Sequence, residues 1–138
     1  MPHHVVPARA FRSGAPMERF RRDRWAGVRD LKAIYPELVP DVRTLTLGIV
    51  EISPGAHTPL HRHNCEEVYY VLSGHGEVEV DGIREPIHRG DAVHIPEKRH
   101  HHVFNRGRTK LRYVVVAGPM FVSLLPQWPT PTPYELLE

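Results

Sequence analysis

The chain has 138 residues, which is close to the usual size of one domain and leaves little material for a second hydrophobic core. Its composition, with 41% hydrophobic and 25% charged residues, is that of an ordinary folded protein, and its formal net charge is only +2. There is no run of about 18 apolar residues and no apolar signal core at the N-terminus, so we expect a cytoplasmic protein with no membrane partner. The single cysteine, Cys65, excludes an internal disulfide.

The first part of the chain, residues 1–41, is predicted to be an N-terminal arm and linker. Its first 32 residues carry eight basic and three acidic side chains, a net charge of +5, whereas the remainder has ten basic and thirteen acidic residues. A basic arm is one means of binding nucleic acid. Aromatic residues are interspersed with these arginines, so we favour an arm that packs along the body or a neighbouring subunit, and we expect no nucleic-acid partner. The pattern allows one short helix, between Pro16 and Leu38.

The second part, residues 42–125, is predicted to form a β-rich domain. Its segments are rich in β-branched residues, alternate in polarity, and are separated by glycine, proline and Asp-Gly turns. The predicted strands cover residues 42–52, 66–72, 76–80, 83–88, 92–95, 101–105, 111–117 and 120–125. Such a series of short strands predicts a sandwich or a barrel. Asp81-Gly82 predicts a tight hairpin turn.

The last part, residues 126–138, is rich in proline and is predicted to be an extended strap. Proline lacks the backbone donor that a central strand needs, so the prolines of this segment end the series of strands.

Metal-ligating side chains recur at spacings that suit strands. Successive side chains of a strand point to opposite faces, so His61 and His63 can direct both imidazoles to one point, and Glu67 is in phase with them. His101 would reach the same point from a distant strand of a closed β-fold. Three imidazoles and one carboxylate suit Mn, Fe, Co, Ni, Cu or Zn, whereas Ca and Mg prefer oxygen ligands. The sequence therefore predicts one divalent transition metal without naming it.

Two motifs resemble those of the cupin superfamily. The first motif has its fixed residues at Gly55, His61, His63, Glu67 and Gly74. The second has them at Gly90, Pro96, His101 and Asn105, with Lys98 where the motif has glycine. Lysine avoids the positive φ that glycine adopts, so the turn after Pro96 is the point of departure from the motif.

The resemblance implies an all-β double-stranded β-helix, or jelly-roll barrel, of the small single-domain RmlC-like type. It also implies that the metal ligands are His61, His63, Glu67 and His101, with His100 or His102 as the ligand only if Lys98 shifts the register. Many small members dimerise by packing sheets and exchanging N-terminal strands, so a homodimer is expected. That interface would cover the outer face of the strand that begins near Glu67.

A metal held by four protein ligands keeps one or two positions for a chelating small molecule. We therefore expect a metal-dependent enzyme, an oxygenase, isomerase, lyase or decarboxylase, that acts on a small oxygen-rich substrate. The alternative is a non-catalytic cupin that binds or senses a small molecule. No general base is assigned. Tyr69 is either a pocket-lining donor or, as we favour, a packed core residue, and Cys65 is expected to be a buried side chain rather than a catalytic thiol.

Overall fold

The computed structural model describes residues 5–13, 27–36, 38–118 and 134–137, which form two antiparallel β-sheets and one short 3-10 turn, Ala8–Ala10. The strands are β1 Arg12–Ser13, β2 Val28–Ile34, β3 Thr46–Ile52, β4 His61–His63, β5 Glu67–Ser73, β6 His75–Val80, β7 Ile83–His88, β8 Ala92–Ile95, β9 His101–Asn105, β10 Leu111–Ala117 and β11 Tyr134–Leu136. The predicted all-β fold class is confirmed.

From β3 onward the described strands pass repeatedly from one sheet to the other, and only β6 and β7 are consecutive strands of the same sheet. The six-stranded sheet has the order β1-β2-β3-β10-β5-β8, and the five-stranded sheet has the order β11-β4-β9-β6-β7. Sequence neighbours such as β4 and β5 thus lie in different sheets, while β3 and β10 pair over seven residues. This connectivity is the double-stranded β-helix that the resemblance implied.

The interior lies between the two sheets, and the alternation along β5 shows which of its side chains face that interior. Tyr69 and Val71 are buried with Glu67, whereas Val68 and Tyr70 are 44% and 50% exposed on the outer face. The main core cluster comprises Ile52, Tyr69, Val71, Val78, Ile87, Ile95, Val103, Leu111 and Tyr113. The predicted inward and outward faces of β5 are confirmed.

The predicted hairpin at Asp81-Gly82 joins β6 to β7, which pair from Val80 and Ile83 outward. Both turn residues have positive φ, 49° at Asp81 and 84° at Gly82. Two consecutive residues with positive φ define a turn whose twist matches that of the flanking strands, which explains the preference for Asp-Gly here.

Three sequence expectations need correction or stay open. The strand expected from residue 42 begins at Thr46, because residues 38–45 form turns. The short helix that the pattern allows between Pro16 and Leu38 is absent from residues 27–36, where β2 occupies residues 28–34 and pairs with β3, and residues 16–26 lie outside the described residues. The strand expected at residues 120–125 lies outside the described residues.

The division into arm, barrel and tail stays a prediction. Within the described part of the chain, β2 of the predicted arm adds a strand to the larger sheet, and β11 of the predicted strap pairs with β4. No helix among the described residues is long and apolar enough to cross a membrane.

Candidate metal centre

Three strands bring the four predicted ligands together between the sheets. His61 and His63 lie on β4, Glu67 begins β5, and His101 begins β9 directly opposite His61. One candidate ligand atom from each residue lies within 4.8 Å of the others. Two ligands on opposite sides of an ion at about 2.1 Å would be about 4.2 Å apart, so only small side-chain adjustments separate this cluster from a coordination shell.

Backbone carbonyls orient two of the imidazoles. Nδ1 of His61 lies 2.6 Å from the carbonyl oxygen of Pro59, and Nδ1 of His101 lies 2.9 Å from that of Arg99. A carbonyl only accepts, so each Nδ1 carries the proton and donates it. The Nε2 atoms of His61 and His101 are then unprotonated, which is the form that binds a metal.

Buried polar atoms without hydrogen-bond partners mark the place where an ion fits. Nε2 of His101 is buried and has no hydrogen-bond partner, and it lies 3.8 Å from Oε1 of Glu67. His63 and Glu67 come into direct contact, yet Nδ1 of His63 also lacks a hydrogen-bond partner. Leaving such atoms unsatisfied is costly, and coordination to one cation would satisfy them together.

The charge states favour metal binding near neutral pH. Burial, aided by the other two histidines, lowers the pKa of His61 well below its usual value, and burial lowers the pKa of His101 to about 4. Burial by itself would raise the pKa of Glu67, but its direct contact with His63 outweighs burial and brings the pKa to about 2. His61 and His101 are therefore neutral imidazoles and Glu67 is an ionised carboxylate, which are the forms that bind a divalent ion.

Tyr69 is a buried neighbour of Glu67, the predicted carboxylate ligand. Its ring is 3% exposed and packs against Tyr113 with ring centroids 4.7 Å apart. Its hydroxyl group hydrogen-bonds to Glu67, and burial and the carboxylate raise the tyrosine pKa well above its usual value. Tyr69 is thus both the packed core residue that we favoured and a phenolic donor to Glu67.

The turn at Lys98 keeps the motif's geometry without its glycine. Lys98 has φ 65°, the conformation that glycine would adopt freely. Its backbone N–H donates to the carbonyl oxygen of His63 at 2.8 Å, so this turn also fixes β4. The register is unshifted, because His101 faces the cluster at 1% exposure while His102 pairs with Glu79 on the opposite face.

Asn105, the last residue of the second motif, has a structural role. Its side-chain amide donates to the carbonyl oxygens of Ile52 and Thr109, both at 2.8 Å, and its Oδ1 accepts from the N–H of Gly107. It therefore ties the end of β9 to β3 and to the following loop.

The position of Cys65 does not suit a nucleophilic or redox role. Its side chain is buried and its thiol donates a weak hydrogen bond to the carbonyl oxygen of Gly118 at 3.7 Å. Burial, with a further contribution from the Glu67 charge, raises the thiol pKa to about 12. The thiolate needed for nucleophilic or redox chemistry is accordingly scarce near neutral pH.

A second polar group, which the sequence pattern did not indicate, lies inside the barrel on β2 and the turn after it. Asp30 pairs with Val50 and Lys32 pairs with Gly48, so both share the inward phase of β3. The Lys32 ammonium lies 4.5 Å from the ring centroid of Tyr35. The available indication was that Asp30 and Lys32 flank Leu31 in a segment with further apolar residues, but their charges favoured a solvated arm.

Comparisons with known proteins agree with this geometry. The family model described as "Cupin domain" matches residues 48–117, about half of the chain. Auxin-binding protein 1 of Arabidopsis thaliana is 31% identical over 98 residues, which cover 63% of this chain and 50% of that protein. The dimethylsulfoniopropionate lyase DddW of Ruegeria pomeroyi is 41% identical over 59 residues, which cover 43% of this chain and 39% of the lyase.

Among solved structures, the polyketide cyclase RemF from Streptomyces resistomycificus has a TM-score of 0.72 and 22% identity, covering 99% of this chain and 86% of the cyclase. At that level of identity the likeness supports the fold alone. The chain spans half or less of the two sequence relatives, so their activities concern those proteins as wholes.

Proposed function

The chain belongs to the cupin family, and from this premise we propose that it is a metal-dependent enzyme acting on a small, oxygen-rich chelating molecule. The observation that carries the proposal is the convergence of three imidazoles and one carboxylate within 4.8 Å, with Nε2 of His101 buried and unsatisfied among the described residues. The proposed ligands are His61, His63, Glu67 and His101. Mn, Fe, Co, Ni, Cu and Zn all suit this donor set.

Four protein ligands leave one or two positions on a five- or six-coordinate ion. When bound, such an ion supplies Lewis acidity to the oxygen atoms of a chelating substrate. The protein's own part is to hold His61 and His101 in their metal-binding tautomers and to keep His63, Glu67 and His101 buried. A hydroxy acid, keto acid, diketone or sugar has the adjacent oxygens that this arrangement would bind.

The relatives support chemistry of this kind without choosing the reaction. DddW is named as a lyase and RemF as a cyclase, so the family places catalysts on this fold. The reaction classes that we propose are those of an oxygenase, an isomerase, a lyase or a decarboxylase.

A non-catalytic binding protein is the second candidate, because another relative is named as an auxin-binding protein. The test is elemental analysis of the untagged protein followed by incubation of the metal-loaded form with a panel of hydroxy acids, keto acids, diketones and sugars. About one equivalent of metal, with turnover that the His61→Ala/His101→Ala variant lacks, supports the enzyme. Metal and tight ligand retention in native mass spectrometry without chemical change would support the binding protein.

A failure to bind any transition metal after reconstitution would contradict both forms of the metal-centre proposal. The homodimer, the cytoplasmic location and the absence of a nucleic-acid partner also stay predictions. Sedimentation analysis tests the first, and retention on DNA at low salt tests the last.

A further inference from the structure

A groove lies between the edge strands on one side of the barrel. β7 is the last strand of the five-stranded sheet, and β8 is the last strand of the six-stranded sheet. The groove between them is lined by residues of β6 and β7 and by residues 91–94, and its volume is about 330 Å³. This volume is at the lower end of the range for small-molecule sites. None of its described lining residues is a predicted metal ligand, so the groove is separate from the candidate metal centre.

The floor of the groove is apolar. Val78 and Ile87 are 2% and 3% exposed and belong to the main core cluster. Val80 and Val93 are half-buried and pack against the same cluster. The floor is therefore part of the packed core, and an apolar ligand that lies on it would be shielded from water on that side.

Carboxylate groups lie at the mouth of this apolar floor. Glu85 pairs with Val78 across the two strands, so it lies on the inward face of β7 although it is exposed. Asp91 precedes β8 on the other side of the groove, and its Oδ2 accepts the backbone N–H of His88 at 2.7 Å. Two negative charges thus line one groove from opposite sides.

The Glu85 carboxylate has no hydrogen bond or ion pair within the described part of the chain. Its basic neighbour Arg84 lies on the outer face of the sheet, where it binds Glu79 at 2.8 Å. The basic group near Asp91 is the exposed ring of His88, at 3.7 Å. The groove accordingly keeps a negative charge beside its apolar floor, and a cation would complement this charge.

The edge strand β8 adds backbone acceptors. Val71 of β5 donates its N–H to the carbonyl oxygen of Asp91 at 3.0 Å, and the pairing of β5 with β8 continues from there. Hydrogen-bonded positions alternate along an antiparallel pair, so the backbone groups of Ala92 and His94 point away from β5. Both residues line the groove, and their carbonyl oxygens can accept hydrogen bonds from a ligand.

A small apolar amine matches these three features. Its hydrocarbon part would cover the apolar floor, and its ammonium group can donate up to three hydrogen bonds to carboxylate and carbonyl oxygens. A carboxylate ligand would be repelled by Glu85 and Asp91, and a neutral alcohol would form no ion pair. The charge of the groove thus selects a cation among small apolar molecules.

We propose that the groove between β7 and β8 is a second binding site, which takes a small primary amine with an apolar body. This inference does not depend on the proposed function, because the described residues that line the groove include no metal ligand. It gives the protein a ligand that differs in charge and polarity from the oxygen-rich chelators proposed for the metal centre.

The test follows the ¹H–¹⁵N NMR spectrum of the full chain during titration with hexylamine, ethylamine, 1-hexanol and hexanoate. Hexylamine should shift the backbone signals of Val80, Ile87 and Val93. An ion pair at a partly exposed site predicts that hexylamine binds about five-fold more tightly than 1-hexanol. The apolar floor predicts that hexylamine binds at least about ten-fold more tightly than ethylamine. Hexanoate should leave these signals unchanged.

One variant and one matched control assign the preference to the groove. Glu85→Gln should lose most of the preference for hexylamine over 1-hexanol and keep its affinity for 1-hexanol. Glu97→Gln removes another exposed carboxylate, which does not line the groove, and should keep the preference. The circular dichroism spectrum reports whether both variants are folded.

Four outcomes would overturn the inference. Two of them are equal affinities for hexylamine and 1-hexanol, and an unchanged preference in Glu85→Gln. The third is a set of shifts confined to His61, Glu67 and His101, which would place the amine at the metal centre instead. The fourth is a shift of the groove signals when the ligand-free protein is diluted, which would show that a second copy of the chain occupies the groove.

Discussion

His61 on β4 and His101 on β9 are direct cross-strand partners, and their ring centroids lie 4.3 Å apart. This is the one residue pair that joins the two strands in register within the described part of the chain. A metal that binds both rings would therefore link β4 and β9, which are weakly paired strands of the five-stranded sheet. The free energy of metal binding would then contribute to the stability of the fold.

Metal loading is expected to raise the thermal stability of the protein. At a free metal concentration of 100 times the dissociation constant, the gain is about 2.7 kcal/mol, or on the order of 10 °C in Tm. Differential scanning calorimetry of the metal-free and reconstituted protein measures it. The His61→Ala/His101→Ala variant should show no metal-dependent shift, and His94→Ala, an exposed strand histidine, should keep it. Equal shifts in all three proteins would mean that the metal binds elsewhere.

Tyr69→Phe is expected to weaken metal binding while leaving the fold in place. The substitution removes the hydroxyl group that hydrogen-bonds to Glu67 but keeps the ring that packs on Tyr113. Loss of such a partner behind a metal ligand typically lowers metal affinity by about 10- to 100-fold. Competition with a fluorescent chelator gives the affinity. Tyr70→Phe is the matched control, because Tyr70 lies on the outer face, and an equal effect in both variants would refute the role of Tyr69.

Lys98→Gly is expected to stabilise the protein by about 0.5–1 kcal/mol. A side chain at positive φ costs about 1–2 kcal/mol, and part of the relief is offset by the greater freedom of glycine in the unfolded chain. Urea denaturation monitored by circular dichroism measures the change. Lys98→Ala keeps a Cβ atom at the same φ and should show no gain. A gain of equal size in the alanine variant would point to the lysine charge instead of the backbone.

The grouping of three of the four candidate ligands was predictable because these three residues are close in sequence. His61, His63 and Glu67 share a phase on successive extended segments, and the motif indicated which residue of 100–102 completes the set. The outward position of His102 then follows from alternation alone. The relative direction of such closely spaced side chains stays correctly predicted even when the predicted ends of a strand are wrong.

The contribution of β2 was not predictable in the same way. Asp30 and Lys32 are charged, and charged residues are rarely buried, so the segment was interpreted as part of a solvated arm. Only the pairing of β2 with β3 places these residues inside, and this pairing joins segments that a turn region separates. The inward residues of the neighbouring strands include Tyr113 on β10 and Thr46 and Gly48 on β3.

The thiol of Cys65 is expected to react slowly in the folded protein. Its burial and its pKa of about 12 leave little accessible thiolate at pH 8. Mass spectrometry after iodoacetamide treatment should find the native protein largely unmodified over minutes, and the same protein in guanidinium chloride fully modified. Rapid alkylation of the folded form, with the circular dichroism spectrum unchanged, would show that the thiol is accessible and would reopen a redox role.

Asp30 is expected to make the stability of the metal-free protein depend on pH between about 4 and 6. Burial raises its pKa from 3.8 to about 6, although the Lys32 charge opposes the rise, while the unfolded chain keeps the ordinary value. Between these values the folded protein holds a proton that the unfolded chain has released. The contribution of Asp30 is therefore most favourable below pH 4 and is lost as pH rises through 6.

The full shift corresponds to about 3 kcal/mol, and because Asp30 is partly exposed we expect about 1–2 kcal/mol. Relative to the wild type, Asp30→Asn should thus become more stable by that amount between pH 4 and pH 7. Urea denaturation of both proteins with a chelator present measures this difference, in which the titration of the metal ligands largely cancels. Asp41→Asn should show no such change. A difference between Asp30→Asn and the wild type that is the same at both pH values would show that Asp30 is solvated, because only a desolvated carboxyl group releases its proton at a higher pH in the folded state than in the unfolded chain.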